Sequence, residues 1–300
     1  MLAIVIPYYK LTFFATTLQS LANQTDKRFK VYIGDDASPE DPAILLEKYN
    51  GQFDFVYHRF ESNRGGTSLV QQWERCITLS GDEEWIMILG DDDFLKETVV
   101  ASWYVNYPVF NGESNLVRFS TKVITEESKE ISIAFTHPIW EKPSEFFYRN
   151  FKGETRSSLS EYVFSRRSYI KYRFNDYPLA WHSDCFAWLD FPDGKMIYTI
   201  NEAIIFFRIS NINISGRQDN IDIKNQVKIQ FFKDVLTKKI MLFKKSQRFE
   251  LLMFYEVIIK RNRKLTLKEW FFLIKLYLIN LKTIPFVKSI RRFLISILNL

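Results

Sequence analysis

Three aspartates stand in a row at Asp91, Asp92 and Asp93, after the apolar residues 85–89 and a glycine, in the stretch WIMILGDDDFL. Adjacent carboxylates repel one another and resist joint ionisation. A hard divalent cation such as Mg²⁺ or Mn²⁺ prefers oxygen ligands and relieves that repulsion. The same residues also suit a solvated turn, with aspartate capping a helix that starts near Phe94. Both readings stay open on this segment alone.

The elements that must position these carboxylates read clearly. LAIVIP (2–7), FKVYIG (29–34), FDFVYHRF (53–60) and WIMILG (85–90) have the apolar runs of strands, with helical stretches near 11–24, 41–50 and 66–80 between them. Repeated strand–helix alternation predicts a mostly parallel α/β sheet flanked by helices. Residues 115–136 alternate like a half-exposed hairpin, 143–190 read as mainly helical, 195–210 as extended, and the chain after 220 as helical. In open α/β sheets ligands collect beyond the carboxyl ends of the strands. Those ends carry PYYK, DDASPED, ESNRGG and DDD, which gathers Asp35, Asp36, Asn63, Arg64, Asp91, Asp92 and Asp93 on one edge. Carboxylates, an amide and an arginine suit a nucleotide bound through a metal. Neither GxxxxGK[ST] nor a GxGxxG after the first strand is present, so a cation has to carry most of a diphosphate's charge.

The ordered set IVIPYYK, VYIGDDASPED, ESNRGGTSL and WIMILGDDDFL resembles glycosyltransferase family 2, inverting sugar-nucleotide transferases of GT-A fold, over residues 1–95. A looser match, LAWHSDCFAWLDF (179–191), resembles the acidic motif that supplies the family's base. The resemblance implies that Pro7, Tyr8, Tyr9 and Asp36 lie against the base and ribose, with Asp35 beside them. It puts Asn63 and Gly65, with Arg64 between them, in a turn near the base or ribose, and Asp91 towards the ribose. Asp92 becomes the principal ligand of Mn²⁺ or Mg²⁺, Asp93 a further candidate ligand, and Asp184 the catalytic base. Glycine stands at position 90, where many members have the first aspartate of their DxD motif, and 206–217 lacks the late histidine that completes many members' metal site. Arg208 and Arg217 could instead meet the diphosphate, or be ordinary surface charges. Trp181 and Trp188 suit either a sugar platform or the core, and Arg166, Arg167 and Arg173 read as a solvated helix face.

Bulk properties bound the rest. Three hundred residues with 47% apolar and 17% aromatic content describe a folded chain with a sizeable core. Cys76 and Cys185 form no CxxC pair or disulfide framework, which fits a reducing compartment. No basic region precedes the first apolar run, and no apolar stretch is long enough to span a bilayer, so a cytoplasmic location is expected. Residues 221–300 hold 18 Lys/Arg against 5 Asp/Glu, a net of +13, leaving −7 for residues 1–220. This divides the chain into an expected GT-A domain over 1–215 and a basic helical region over 216–300. The tail, divided by Pro285, suits either a bundle packed on the catalytic domain or amphipathic helices on an anionic membrane surface; the latter places the chain at the cytoplasmic face of the inner membrane. No nucleic-acid motif accompanies the charge.

These readings lead to transfer of a sugar from a nucleotide-diphosphate sugar, with a UDP-sugar expected, to an acceptor hydroxyl by a single inverting displacement. A glycan or lipid-linked glycan in bacterial surface polysaccharide synthesis is the expected acceptor. The competing readings are a sugar-phosphate nucleotidyltransferase, for which PYYK lacks the glycine- and arginine-rich loop, and a non-catalytic glycan-binding or scaffold member of the family.

Overall fold

The computed structural model describes residues 1–125, 132–280 and 283–298, in two compact units, Met1–Lys224 and Asn225–Leu300. The first unit is built on a sheet of strands β1 (Leu2–Tyr8), β2 (Phe29–Asp35), β3 (Asp54–Arg59), β4 (Trp85–Ile88), β5 (Phe94–Leu95), β6 (Leu116–Thr125), β7 (Trp140–Glu141), β8 (Tyr162–Ser165) and β9 (Ile197–Ile209). Their order is β3-β2-β1-β4-β8-β6-β9-β5, with β7 also paired to β9. The first four run parallel, as the strand–helix alternation predicts, and β8 is antiparallel to both β4 and β6.

The helices of this unit are α1 (Phe14–Ala22), α2 (Ala43–Glu47), α3 (Leu69–Ile77), α4 (Val99–Phe110), α5 (Pro143–Phe151), α6 (Arg166–Tyr172) and α7 (Ser183–Asp190), with α8 (Ile221–Lys238) running out of it. Central strands β1 and β4 are buried along almost their whole length, which explains their unbroken apolar runs. Period-two alternation divides their side chains between two cores. Leu2, Ile4, Ile6 and Tyr8 join Phe14, Leu18 and Trp103, whereas Ala3 and Val5 join Val70, Trp73, Cys76 and Trp188 on the opposite face.

Three expectations change. The alternating stretch 115–136 is not a half-exposed hairpin: β6 is an inner strand between β8 and β9, buried from Leu116 to Thr121. Among the described residues its return is the antiparallel bridge Thr121 to Phe135, with the Ser132 amide on the Val123 carbonyl at 2.9 Å; residues 126–131 lie outside the described residues. Residues 162–165 form β8 within a region expected to be mainly helical. No helix begins at Phe94, which enters β5; the next helix starts at Val99. The aspartates therefore cap nothing.

The second unit contains the rest of α8, then α9 (Lys245–Asn262), α10 (Leu267–Asn280) and α11 (Thr283–Leu298). Pro285 falls in the first turn of α11, where a missing N–H costs little, and does not itself divide the helix; residues 281–282 lie outside the described residues. Among the described residues no helix is long and apolar enough to cross a membrane.

Candidate active site

At the carboxyl ends of β1, β2 and β4 lies a cavity of about 420 Å³, lined by Pro7, Tyr9, Asp36, Asn63, Gly65, Asp91, Asp92 and Asp93 among others. The register of the parallel strands explains which side chains arrive. Tyr8 lies opposite Asp35 and Pro7 opposite Gly34, and paired residues share a face. Tyr8 and Asp35 thus turn towards α1, while Pro7, Tyr9 and Asp36 belong to the face of α3.

Tyr8 and Asp35, expected at or beside the nucleotide, do not line this cavity. The Tyr8 ring packs on Phe14, and its hydroxyl donates to the Glu40 carbonyl at 2.7 Å. Asp35 is wholly buried and accepts from Tyr57 (2.6 Å), Arg59 (2.8 Å) and the Ser38 amide (2.7 Å). A carboxylate so fully engaged fastens β2, β3 and the following loop together.

Asp36 holds the loop at 64–65. Its two oxygens accept the Arg64 and Gly65 amides at 2.7 and 2.8 Å, and Arg75 of α3 pairs with it. A Cβ at 65 would lie 2.5 Å from Asp36 Oδ2, so any larger residue there makes the Asp36 carboxylate shift. Asn63 closes the turn by accepting the Gly66 amide at 2.6 Å. The Arg64 side chain is exposed and borders a separate cleft with Glu74 and Arg173, so only its backbone serves this loop.

The three aspartates take different duties. Asp91 Oδ2 accepts the Tyr9 and Lys10 amides at 2.8 and 2.9 Å, tying β4 to the end of β1. Asp93 is buried, accepting Ser160 Oγ (2.5 Å) on one oxygen and the Arg208 amide (2.8 Å) on the other. Asp92 receives Asn213 Nδ2 at 2.9 Å. Burial and the Asp92 charge push Asp91 up to about 7 and Asp93 up to about 8; burial also raises Asp92, against hydrogen bonding from Asn213 and the charge of Arg208. Glycine at 90 has a local cause: a Cβ would meet Asp92 Oδ1 at 2.9 Å. Among the described residues no group of three or more His, Cys, Asp or Glu side chains is arranged to hold a metal ion.

The segment after β9 forms one wall. Ile212, Asn213, Ile214 and Arg217 line the cavity, and Lys10 Nζ bonds the Ile212 carbonyl. Arg217 also pairs with Asp219, whereas Arg208 is occupied, its Nε on the Asp92 carbonyl (3.1 Å) and its guanidinium over Phe13. Asn213, Ser160, Lys10 and Trp73 were not singled out from sequence. Asn213 sits within 206–217, the stretch in which Arg208 and Arg217 were the expected candidates.

Asp184 does not line the cavity. It lies in the first turn of α7, and burial raises its pKa, opposed by hydrogen bonding from Cys185 and the charge of Arg156. The approach to it is strained: Leu179, Ala180 and His182 all have positive φ, at 60°, 50° and 67°. Trp188 is core, stacked on Tyr162 at 4.2 Å, while Trp181 is half-buried beneath Lys224. Arg166 is bonded to the Glu83 carbonyl rather than solvated.

Residues 3–103 match the family described as glycosyl transferase family 2. No curated protein matches the chain. The structure of S. aureus TarS 1-349 in complex with UDP-GlcNAc is similar with a TM-score of 0.64 at 13% identity, covering 92% of this chain and 79% of that one. GalNAc-T7 with UDP, GalNAc and Mn²⁺ is similar with a TM-score of 0.52 at 9% identity, over 79% of this chain and 50% of that one. Likeness at such identities is likeness of fold. The ordered motifs, the sheet and both neighbours agree: the chain carries a glycosyl transferase family 2 segment at residues 3–103, on a GT-A fold.

Proposed function

We propose that this protein transfers a sugar from a UDP-sugar to an acceptor hydroxyl with inversion. The observation that carries this reading is one cavity, at the carboxyl ends of β1, β2 and β4, lined both by the Asp36-held turn and by Asp92. In it the turn and Pro7 meet the base and ribose, and Asp92 faces the diphosphate.

A divalent cation fits this chemistry through Asp92. Mg²⁺ and Mn²⁺ accept one or two carboxylates and complete their shell with water and substrate phosphates. Asp93 is the weaker candidate ligand, since both its oxygens already accept hydrogen bonds; we assign it to positioning Ser160 and β9. When bound, such a cation neutralises charge on the leaving diphosphate.

Asp184 is proposed as the base that takes the acceptor proton. Its raised pKa suits a proton acceptor, and the strained approach to α7 supports a functional role. Lying outside the cavity lining, it works from the acceptor side. The acceptor is proposed to be a lipid-linked glycan, supported by the basic charge of residues 221–300.

Calorimetric titration with UDP, with GDP as control, in Mn²⁺ and in EDTA tests the site. UDP binding that needs the metal and is weakened at least tenfold by Asp92→Ala is expected. Absence of nucleotide binding under every condition removes the transferase reading.

A further inference from the structure

In the second unit, α11 contributes a single buried residue, Ser289. Ile284, Val287, Leu294 and Leu298 recur at steps of three, seven and four residues, along one stripe of the helix, and are 69, 56, 51 and 62% exposed. Lys288 and Arg291, both exposed, lie on the same helix, which contains no acidic residue. Beside the stripe a cleft of about 450 Å³ is bordered by Lys260, Arg263 and Arg292, with Ile295 at its edge. Lys260 and Arg292 both bind Glu256, two cations on one carboxylate, so their end of the cleft keeps positive charge.

Arg291 falls within this stripe, between Val287 and Leu294, and Lys288 and Arg292 lie along one side of it. An apolar face whose long cationic side chains can reach the headgroups belongs in the interface of an anionic bilayer. Packing against a second copy would instead set Lys288 and Arg291 against their like, with no acid on α11 to answer them.

We propose that α11 lies on an anionic lipid surface, its stripe in the acyl boundary and a lipid phosphate in the Lys260–Arg292 cleft. This narrows the lipid-linked acceptor reading and rests on it.

The test is co-sedimentation of the full chain with phosphatidylcholine vesicles, with and without phosphatidylglycerol. Binding is expected to the anionic vesicles, weakened by salt, and at least tenfold poorer to the neutral ones. Each juxtaposed cation contributes about fivefold, so Lys288→Gln/Arg291→Gln should lose about 25-fold. Leu294→Gln/Leu298→Gln should abolish binding with folding intact, because both side chains are exposed. UDP affinity measured on the same variants should not move, which separates failure here from failure of the transferase reading. Equal binding to both vesicles, or none to either, overturns the proposal. So does self-association that Leu294→Gln/Leu298→Gln removes, which would make the stripe an interface between copies.

Discussion

Two adjacent carboxylates, Asp35 and Asp36, show how the environment divides identical side chains. Asp35 is sealed under Tyr57 and Arg59, while Asp36 faces the cavity and holds the turn that borders it. The difference follows from strand alternation, which sends neighbours to opposite faces. Parity in β1 and β2 would have separated Pro7, Tyr9 and Asp36 from Tyr8 and Asp35; motif matching by position grouped them all. The three aspartates were legible as a cluster, but their separate partners were not, because Ser160, Arg208 and Asn213 lie far along the chain. Gly65 offers a sharp test. In Gly65→Ala the new Cβ collides with Asp36 Oδ2 and displaces a carboxylate whose other oxygen is paired with Arg75. We expect UDP affinity to fall tenfold or more and stability to fall by about 1–3 kcal/mol, the cost of overpacking a tight site. Calorimetry and thermal melts on the same sample check both. Unchanged affinity would remove the turn from the nucleotide site.

At the scale of elements, the first hundred residues were readable because each parallel strand is separated from the next by a helix. Beyond them the reading failed where partners are remote: β6 pairs with β8 and β9, and its alternation is equally that of a hairpin arm. The segment following β9 is the least legible part of the site, since its 210–217 backbone is organised by one amide. Asn213 donates to Asp92 (2.9 Å) and to the Arg208 carbonyl (2.7 Å), and accepts from the Gly216 amide (2.9 Å). Asn213→Ala should loosen residues 210–217 while leaving the sheet intact. Hydrogen exchange at the Gly216 amide should accelerate about tenfold, matching the roughly 1–1.5 kcal/mol of a lost hydrogen bond. Protection unchanged at that amide would mean that Lys10 and the apolar contacts hold the wall without Asn213.

For the whole molecule, the acidic first unit buries carboxyls that it does not fully neutralise. Glu161 is wholly buried; Oε2 meets Arg156 (2.9 Å) and Ser158 Oγ (2.8 Å), but Oε1 has no hydrogen-bond partner. Burial pushes its carboxyl up to about 7 from an ordinary 4.5, against the attraction of Arg156. A carboxyl with a higher pKa in the folded than in the unfolded chain binds more protons when folded. Stability is therefore greatest below the unfolded pKa and falls as pH rises from about 4.5 through about 7. The full loss would be about 3 kcal/mol, at 1.36 kcal/mol per unit. Asp91 and Asp93 add to the same slope, since their pKa values are raised in the same direction. Glu161→Gln preserves the shape of the side chain and removes its proton equilibrium. Denaturant titrations in EDTA at pH 5 and pH 8 should show wild type losing more stability between the two than the variant does. Equal losses would mean that Arg156 keeps Glu161 ionised throughout, leaving the pH dependence to the aspartates at the end of β4.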